Sequence, residues 1–359
     1  MRILVQYVTR EFLKLFCMLV MGFVSIYTFF DYIEKVKNFQ QAGVPTSAML
    51  SFFVLQIPEI MSLMVPLAVL MSTVITLGLM GQRNELVALK SSGISLFRFA
   101  LPLLLVALAL TFTVALFNET ILPRTKAKTN YIWEVLVEKR PNKLFLKEKF
   151  WYKGQNSIYR VGFYDNDTQS LSDVVYYRFD KDFNLSLRVD ARRARFLGNR
   201  WVFFSGLIQQ RLAGGGYTAT PFDEQAVDLP ERPNDFTKLS KPSEEMSFGE
   251  LARFVKKIEI EGYDSRRYRV DMQSKLSFPF VCLIMALVGI PLSLIKERGQ
   301  SLATGVVLGM SVALLYWISF SYMRSIFGYT GVLPPFLSAW LPNGIFSILG
   351  LWLFTTIRQ

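Results

Sequence analysis

Six transmembrane helices with a β-rich domain inserted between the third and the fourth is the architecture this sequence predicts, and three observations predict it. The composition is too apolar for a soluble chain of 359 residues: 52% are hydrophobic, Phe occurs 31 times and Trp 6 times, and the mean hydropathy is +0.31. The charged residues are segregated. Residues 12–30, 50–80, 99–117, 277–295, 302–320 and 334–356 read as near-continuous apolar segments, each close to the ~20 residues with which a helix crosses ~30 Å of hydrocarbon. Between the third and the fourth lies a polar block, 120–275, of the size of one soluble domain.

In chain order, the first segment is expected to remain as a helix, because its apolar run exceeds a usual signal core and no A-x-A site follows it. The second is long and carries Pro58 and Pro66, which remove backbone hydrogen bonds and bend a helix; Glu59 belongs near an interface. The loop GQRNELVALKSSGIS (81–95) holds a short charged helix with Glu85 between Arg83 and Lys90. In the polar block, residues 143–154, 156–165, 172–180, 185–198 and 201–212 alternate polar with apolar or aromatic side chains between Gly, Asn and Asp turns, which fits a sandwich, jelly roll or open barrel. The alternation puts Phe145, Tyr159, Val161, Val175, Tyr177 and Leu187 on the inward face. Asp165, Asp167 and Asp173 fall in turn-like contexts. Ser247 with Glu250 forms a capping box before LARFVKKIEI, and DSRRYRVDMQSKL (264–276) leads back to the bilayer.

Orientation follows from the short loops. Arg2, Arg10 and Lys14 precede the first span; Arg83, Lys90 and Arg98 lie between the second and third, Lys296 and Arg298 between the fourth and fifth, and Arg358 near the end. The positive-inside rule makes that side cytoplasmic, so both termini are expected there and the large block outside. Lys35 and Lys37, on the other side, are accompanied by Asp31 and Glu34. The net charge of +12 reflects these loops and a mixed-sign outer block, so no nucleic-acid partner is expected. Both cysteines, Cys17 and Cys282, fall inside spans, so the block folds without disulfides. No catalytic residue and no metal site is assigned. The chain has no histidine, no G-x-x-x-x-G-K-[ST] loop and no G-x-S-x-G elbow.

The order of elements, together with QRNELVALKSSGIS (82–95), KLSFPFVCLIMALVGIPLSL (275–294) and GVLPPFLSAWLPNGIF (331–346), resembles the LptF/LptG (YjgP/YjgQ) family of lipopolysaccharide export permeases over essentially the whole chain, and its LptG branch more than its LptF branch. The resemblance implies a non-catalytic permease subunit of an ABC transporter in the Gram-negative inner membrane. That subunit pairs with an LptF-like permease, binds an LptB-like ATPase dimer and an LptC-like bitopic jellyroll protein, and moves lipopolysaccharide toward a periplasmic bridge. It binds no cofactor itself; ATP and Mg are used by the partner ATPase. The implied organisation is transmembrane helices 1–3 in residues 1–135, with a cytoplasmic coupling helix at about 83–95; a periplasmic β-jellyroll in 136–245; and a connecting helix with transmembrane helices 4–6 in 246–359. The resemblance gives the ATPase-coupling role to Arg83, Glu85, Leu86 and Leu89, with Glu85 as the key carboxylate.

Lipopolysaccharide presents phosphates above acyl chains, so Lys35, Lys37, Arg124, Lys126 and Lys128, which follow the first and third spans, are the expected headgroup contacts. Ordinary snorkelling at the interface is the alternative for each. Relatives of the LptG branch can carry a lysine where this chain has Asp31, which redistributes those contacts. The family's main lipid path runs through the LptF jellyroll, so lipid adducts are expected at Lys35, Lys37 and Lys126 rather than at Tyr159 or Tyr177. Two other readings exist besides an LptF-type subunit. A lipoprotein-release type of permease would carry its large domain between the first two spans, and a membrane-anchored envelope scaffold would need only one or two.

Overall fold

The computed structural model describes residues 2–92, 96–139, 143–144, 150–153, 157–165, 168–180, 183–198, 200–212, 216–227, 229, 242–260, 264–294 and 302–356. Six helical stretches among them are long and apolar enough to cross a membrane: Ile3–Ala42, Thr46–Gln82, Arg98–Thr120, Arg266–Leu294, Leu302–Gly328 and Pro335–Thr356. The chain divides into two compact units. One comprises residues 1–130, 243–255 and 264–359, the other 131–242 and 256–263.

The first unit contains helices α1 (Arg2–Ala42), α2 (Thr46–Gln82), α3 (Glu85–Ser91), α4 (Leu96–Thr120) and α5 (Leu122–Tyr131). After the second unit come α6 (Phe248–Ile260), α7 (Arg266–Ser277), α8 (Val281–Leu294), α9 (Leu302–Tyr322) and α10 (Pro335–Thr356). Helix α1 runs well past its apolar segment, so Lys35 and Lys37 stand on a helix rather than in a loop. It stops where Gly43 adopts φ +70. There Val44 N–H donates to the Phe39 carbonyl and Gly43 N–H to that of Gln40, the paired bonds that close a helix on a left-handed residue.

Helices α2 and α8 form the spine of this unit. One apolar cluster joins them to α1 and α4 through Phe12, Ala68, Leu103 and Ala286; another joins them to α9 and α10 through Leu70, Val288, Tyr316 and Phe346. Close approach rests on small residues, as it must where lipid competes with protein for apolar contact. A Cβ at Gly289 would lie 3.1 Å from both Leu70 Cδ1 and Thr73 Cβ, and one at Gly309 would lie 2.7 Å from Met71 Cε. Gly289→Val is therefore expected to destabilise the bundle by about 1–3 kcal/mol through overpacking. Gly344→Ala is the control, since no atom lies within 4 Å of the added Cβ. The thermal midpoint in detergent measures both, and equal midpoints would refute the close-packing argument.

A polar contact crosses the same region. At Ser277 α7 gives way to a 3-10 turn, Phe278–Phe280, and Val281 N–H bonds to Phe278 and Pro279 carbonyls, leaving the Ser277 carbonyl free of it. Asn343 of α10 fills the gap: its Nδ2 donates to Ser277 O at 2.8 Å, while its Oδ1 accepts from Tyr316 Oη of α9 at 2.5 Å. A buried backbone group left without a partner in hydrocarbon is costly, so the asparagine ties α7, α9 and α10.

The second unit is an antiparallel sheet of seven strands: β1 (Lys143–Leu144), β2 (Phe150–Lys153), β3 (Ser157–Asp165), β4 (Ser170–Phe179), β5 (Leu185–Leu197), β6 (Arg200–Arg211) and β7 (Tyr217–Val227). Their order is β1-β3-β4-β5-β6-β7, with β2 also on β3. The core rows are irregularly spaced. Leu171, Ala194 and Phe203 form one buried row and Val161, Val174 and Ala191 the next, in register but three residues apart along each strand instead of two. Between them the ladder is interrupted, and Asp173 and Ser205 take φ +53 and +52. The paired row Ser172–Arg193–Phe204 and the unpaired residues Asp173, Arg192 and Ser205 next to it thus both leave the core.

This corrects the expected inward face. Tyr159, Val161 and Leu187 are in the core, but on β4 it is Tyr176 and Val174, the partners of Tyr159 and Val161, that join them rather than Val175 and Tyr177. The run VVYY is apolar on both faces, so alternation could not choose between them; pairing of Tyr159 with Tyr176 does. Val175 is buried outside that cluster, and Tyr177 is half-buried with the Arg188 guanidinium 5.5 Å from its ring centre. Asp173 sits inside β4, not in a turn, and Asp165 ends β3. Phe145 and Asp167 lie outside the described residues. Strand β7 was missed by the alternation because nearly all its side chains are exposed and it contains Pro221, which is tolerated at a sheet edge.

Candidate functional site

Within the first unit, α2, α4, α5, α7 and α9 surround a cleft of about 520 Å³ lined by charged side chains and by the aromatic residues Phe278, Trp317, Phe320 and Tyr329. Asp271 of α7 is its most connected group, only 3% exposed. Its Oδ1 accepts from Arg324 Nε at 3.1 Å, Arg324 Nη2 at 2.8 Å and Tyr329 Oη at 2.5 Å, and its Oδ2 from Ser243 Oγ at 2.5 Å. Arg324 lies in a π-helical turn, Met323–Gly328, that ends the fifth span. Burial pushes the Tyr329 hydroxyl up to about 12, so it stays a neutral donor at physiological pH. The Arg267 guanidinium stands 5.1 Å from the centre of the Tyr329 ring. Lys275 also lines the cleft. Asp271, Arg267, Arg324 and Tyr329 were not singled out by sequence reading, because the partners that tie them together across the cleft lie 28 to 62 positions apart.

The five cations expected at headgroup depth have different surroundings. Lys126 lines the cleft and is held by Glu59 at 2.6 Å, with Glu244 at 3.8 Å. Lys35 is bound to Asp31 at 2.7 Å and lies 5.2 Å from the Phe52 ring centre. Asp31 is itself buried and its Oδ2 accepts no hydrogen bond among the described residues. Both lysines are thus largely neutralised within the chain. Lys37, Arg124 and Lys128 are exposed and form no ion pair among the described residues.

At the end of α4, Glu119 accepts from Phe248 N–H at 2.6 Å and Gly249 N–H at 3.3 Å, holding the N-terminus of α6. The Ser247–Glu250 box adds reciprocal bonds of 3.2 Å each. A carboxylate on the unpaired N–H groups of a helix start satisfies donors and complements the helix dipole.

The loop between the second and third spans forms α3. Asn84 takes φ +56, turning the chain between α2 and α3. Glu85 begins the helix; its Oε1 accepts from Tyr7 Oη of α1 at 3.3 Å and lies 3.9 Å from Arg83 Nη1. Leu86 and Leu89 pack against the cluster of α1, α2, α4 and α8, so they fix α3 to the spans. The large apolar side chain of α3 turned outward is Val87, 60% exposed. Of the expected coupling segment, residues 93–95 lie outside the described residues, as do Lys296, Arg298 and Arg358.

The chain matches the family of the lipopolysaccharide export system permease LptF/LptG over residues 6–356. It is 22% identical to the lipopolysaccharide export system permease protein LptG of Escherichia coli (strain K12) over 367 residues, covering 98% of this chain and 97% of that protein. It is 21% identical to the protein of the same name in Haemophilus influenzae over 363 residues, with 99% and 98% covered. With the permease protein LptF of Escherichia coli (strain K12) it shares 22% identity over 388 residues, with 99% and 97% covered. A match that takes in all six spans and the inserted sheet places this chain in the LptF/LptG family of lipopolysaccharide export permeases.

Proposed function

We propose that this chain is the LptG-type permease subunit of a lipopolysaccharide export transporter in the Gram-negative inner membrane. The observation that supports it most is the family match from residue 6 to residue 356, which takes in all six spans and the strands of the sheet. In this reading both termini and α3 lie in the cytoplasm, and the antiparallel sheet is a periplasmic jellyroll. An LptF-like permease pairs with the spans, an LptB-like ATPase dimer that uses ATP and Mg docks on α3, and an LptC-like protein joins outside. Arg83, Glu85 and Val87 form the docking face, and Leu86 and Leu89 relay its movement to the spans they pack on. Lipopolysaccharide phosphates meet Lys37, Arg124 and Lys128, which form no ion pair among the described residues, while Lys35 and Lys126 position those contacts.

Purification of the tagged chain from its native membrane in mild detergent tests this. A second permease of six-span layout and a P-loop ATPase are expected in stoichiometric amounts, and photo-crosslinkers at Lys37 and Lys128 are expected to capture lipopolysaccharide while one at Tyr177 captures little. Recovery of the chain alone, with no ATPase activity in the preparation, would overturn the reading.

A further inference from the structure

The interrupted ladder of the β unit has a chemical result on its outer side. Arg192 and Arg193 are consecutive in β5, and in an unbroken strand they would point to opposite faces. Here both are exposed, and Arg195 is exposed beside them. The three arginines line a cleft of about 390 Å³ whose remaining walls are Ser172, Phe204 and Ser205. No carboxylate lines it among the described residues; Asp173, next to Ser172 in β4, stands outside the lining. The contrast with other arginines of the same strands is direct. Arg188 pairs with Asp190 at 2.8 Å and Arg211 with Asp180 at 3.3 Å. Arg192, Arg193 and Arg195 form no ion pair or hydrogen bond among the described residues.

Three guanidinium groups gathered with no carboxylate in the cleft lining among the described residues repel one another, and an anion between them relieves that repulsion. Planar forks of N–H donors match the oxygens of a phosphate, and two serine hydroxyls add neutral donors at the same cleft. The Phe204 ring gives an apolar wall against which the carbon side of an ester can rest.

We propose that Arg192, Arg193 and Arg195, with Ser172 and Ser205, form a binding site for a phosphate mono- or diester. This goes beyond the transport reading and does not depend on it, since the site is defined by the β unit alone. Free phosphate and a phospholipid headgroup carry the same recognised group. Two probes separate them: inorganic phosphate and dioctanoyl phosphatidic acid, each titrated into the full-length chain in a non-ionic detergent at fixed ionic strength. Saturable binding of the lipid is expected, roughly tenfold or more weaker in the R192Q/R193Q/R195Q variant. An R200Q/R253Q/K256Q variant, with the same charge removed at other exposed positions, is expected to bind as wild type. Binding of the lipid alone identifies the headgroup as the ligand; binding of both shows that the phosphate group suffices. The arginine side chains are exposed, so the thermal midpoint of the first variant should stay at the wild-type value. No saturable binding of either probe, or an equal loss in the two triple variants, would overturn the proposal.

Discussion

Asp271→Ala is expected to lower the stability of the helical unit by about 2–4 kcal/mol, less than the ~3–5 kcal/mol of a fully buried broken pair because Arg324 keeps some solvent. The carboxylate is nearly inaccessible and accepts hydrogen bonds from Arg324, Tyr329 and Ser243. Its removal strands a guanidinium and two hydroxyls at the point where α7, the π-helical turn after α9 and the chain returning from the β unit meet. The Arg324 side chain is 33% exposed, which is why water recovers part of the loss. Asp271→Asn retains one acceptor oxygen for Arg324, and Ser243 can rotate its hydroxyl to accept from the new amide, so an intermediate effect follows. Replacing both charged partners, D271L/R324M, should be milder than D271A, since no unpaired charge is left. Thermal unfolding in detergent orders the series. A D271A midpoint equal to that of wild type, or a double variant worse than the single, would refute the account.

The same residue shows what the sequence could and could not reveal. The spans were legible because hydrocarbon thickness demands long apolar runs, and the capping box Ser247–Glu250 was legible because its partners are three residues apart. Asp271 read as one more charge in a polar lead-in, DSRRYRVDMQSKL, since its partners lie across the fold. Glu119 capping α6 was hidden in the same way, 129 positions from Phe248 N–H. The cations picked as lipid contacts were placed by their position after the first and third spans, but the neutralisation of Lys35 and Lys126 was not visible in the pattern. Nothing in the pattern near Lys126 pointed to Glu59. In the β unit, alternation found β3 to β6 but failed at VVYY, where both faces are apolar, and at β7, where nearly every side chain is exposed.

Glu85→Lys is expected to abolish export while leaving insertion and pairing with the second permease intact. The helix that carries Glu85 has seven residues, too few to be stable alone, and is fixed by Leu86 and Leu89 on the spans and by the Tyr7–Glu85 contact. A push on α3 is therefore delivered to α1 as well as to α2. The carboxylate retains 30% exposure and faces Tyr7, so in the proposed reading its open side would be the one to meet a basic group of a docked ATPase. Lysine at this position sets two cations side by side with Arg83 and reverses the charge offered to the partner. Tyr7→Phe separates the two roles, because it deletes the internal hydrogen bond and keeps the carboxylate. If the docked contact carries the coupling, E85K should lose the ATPase in pull-down, or retain it with hydrolysis uncoupled from lipid release, whereas Y7F should hold near wild-type association. Wild-type pull-down together with unchanged lipid release from E85K would remove α3 from the coupling path, and equal loss in E85K and Y7F would assign Glu85 to holding the loop on α1 instead.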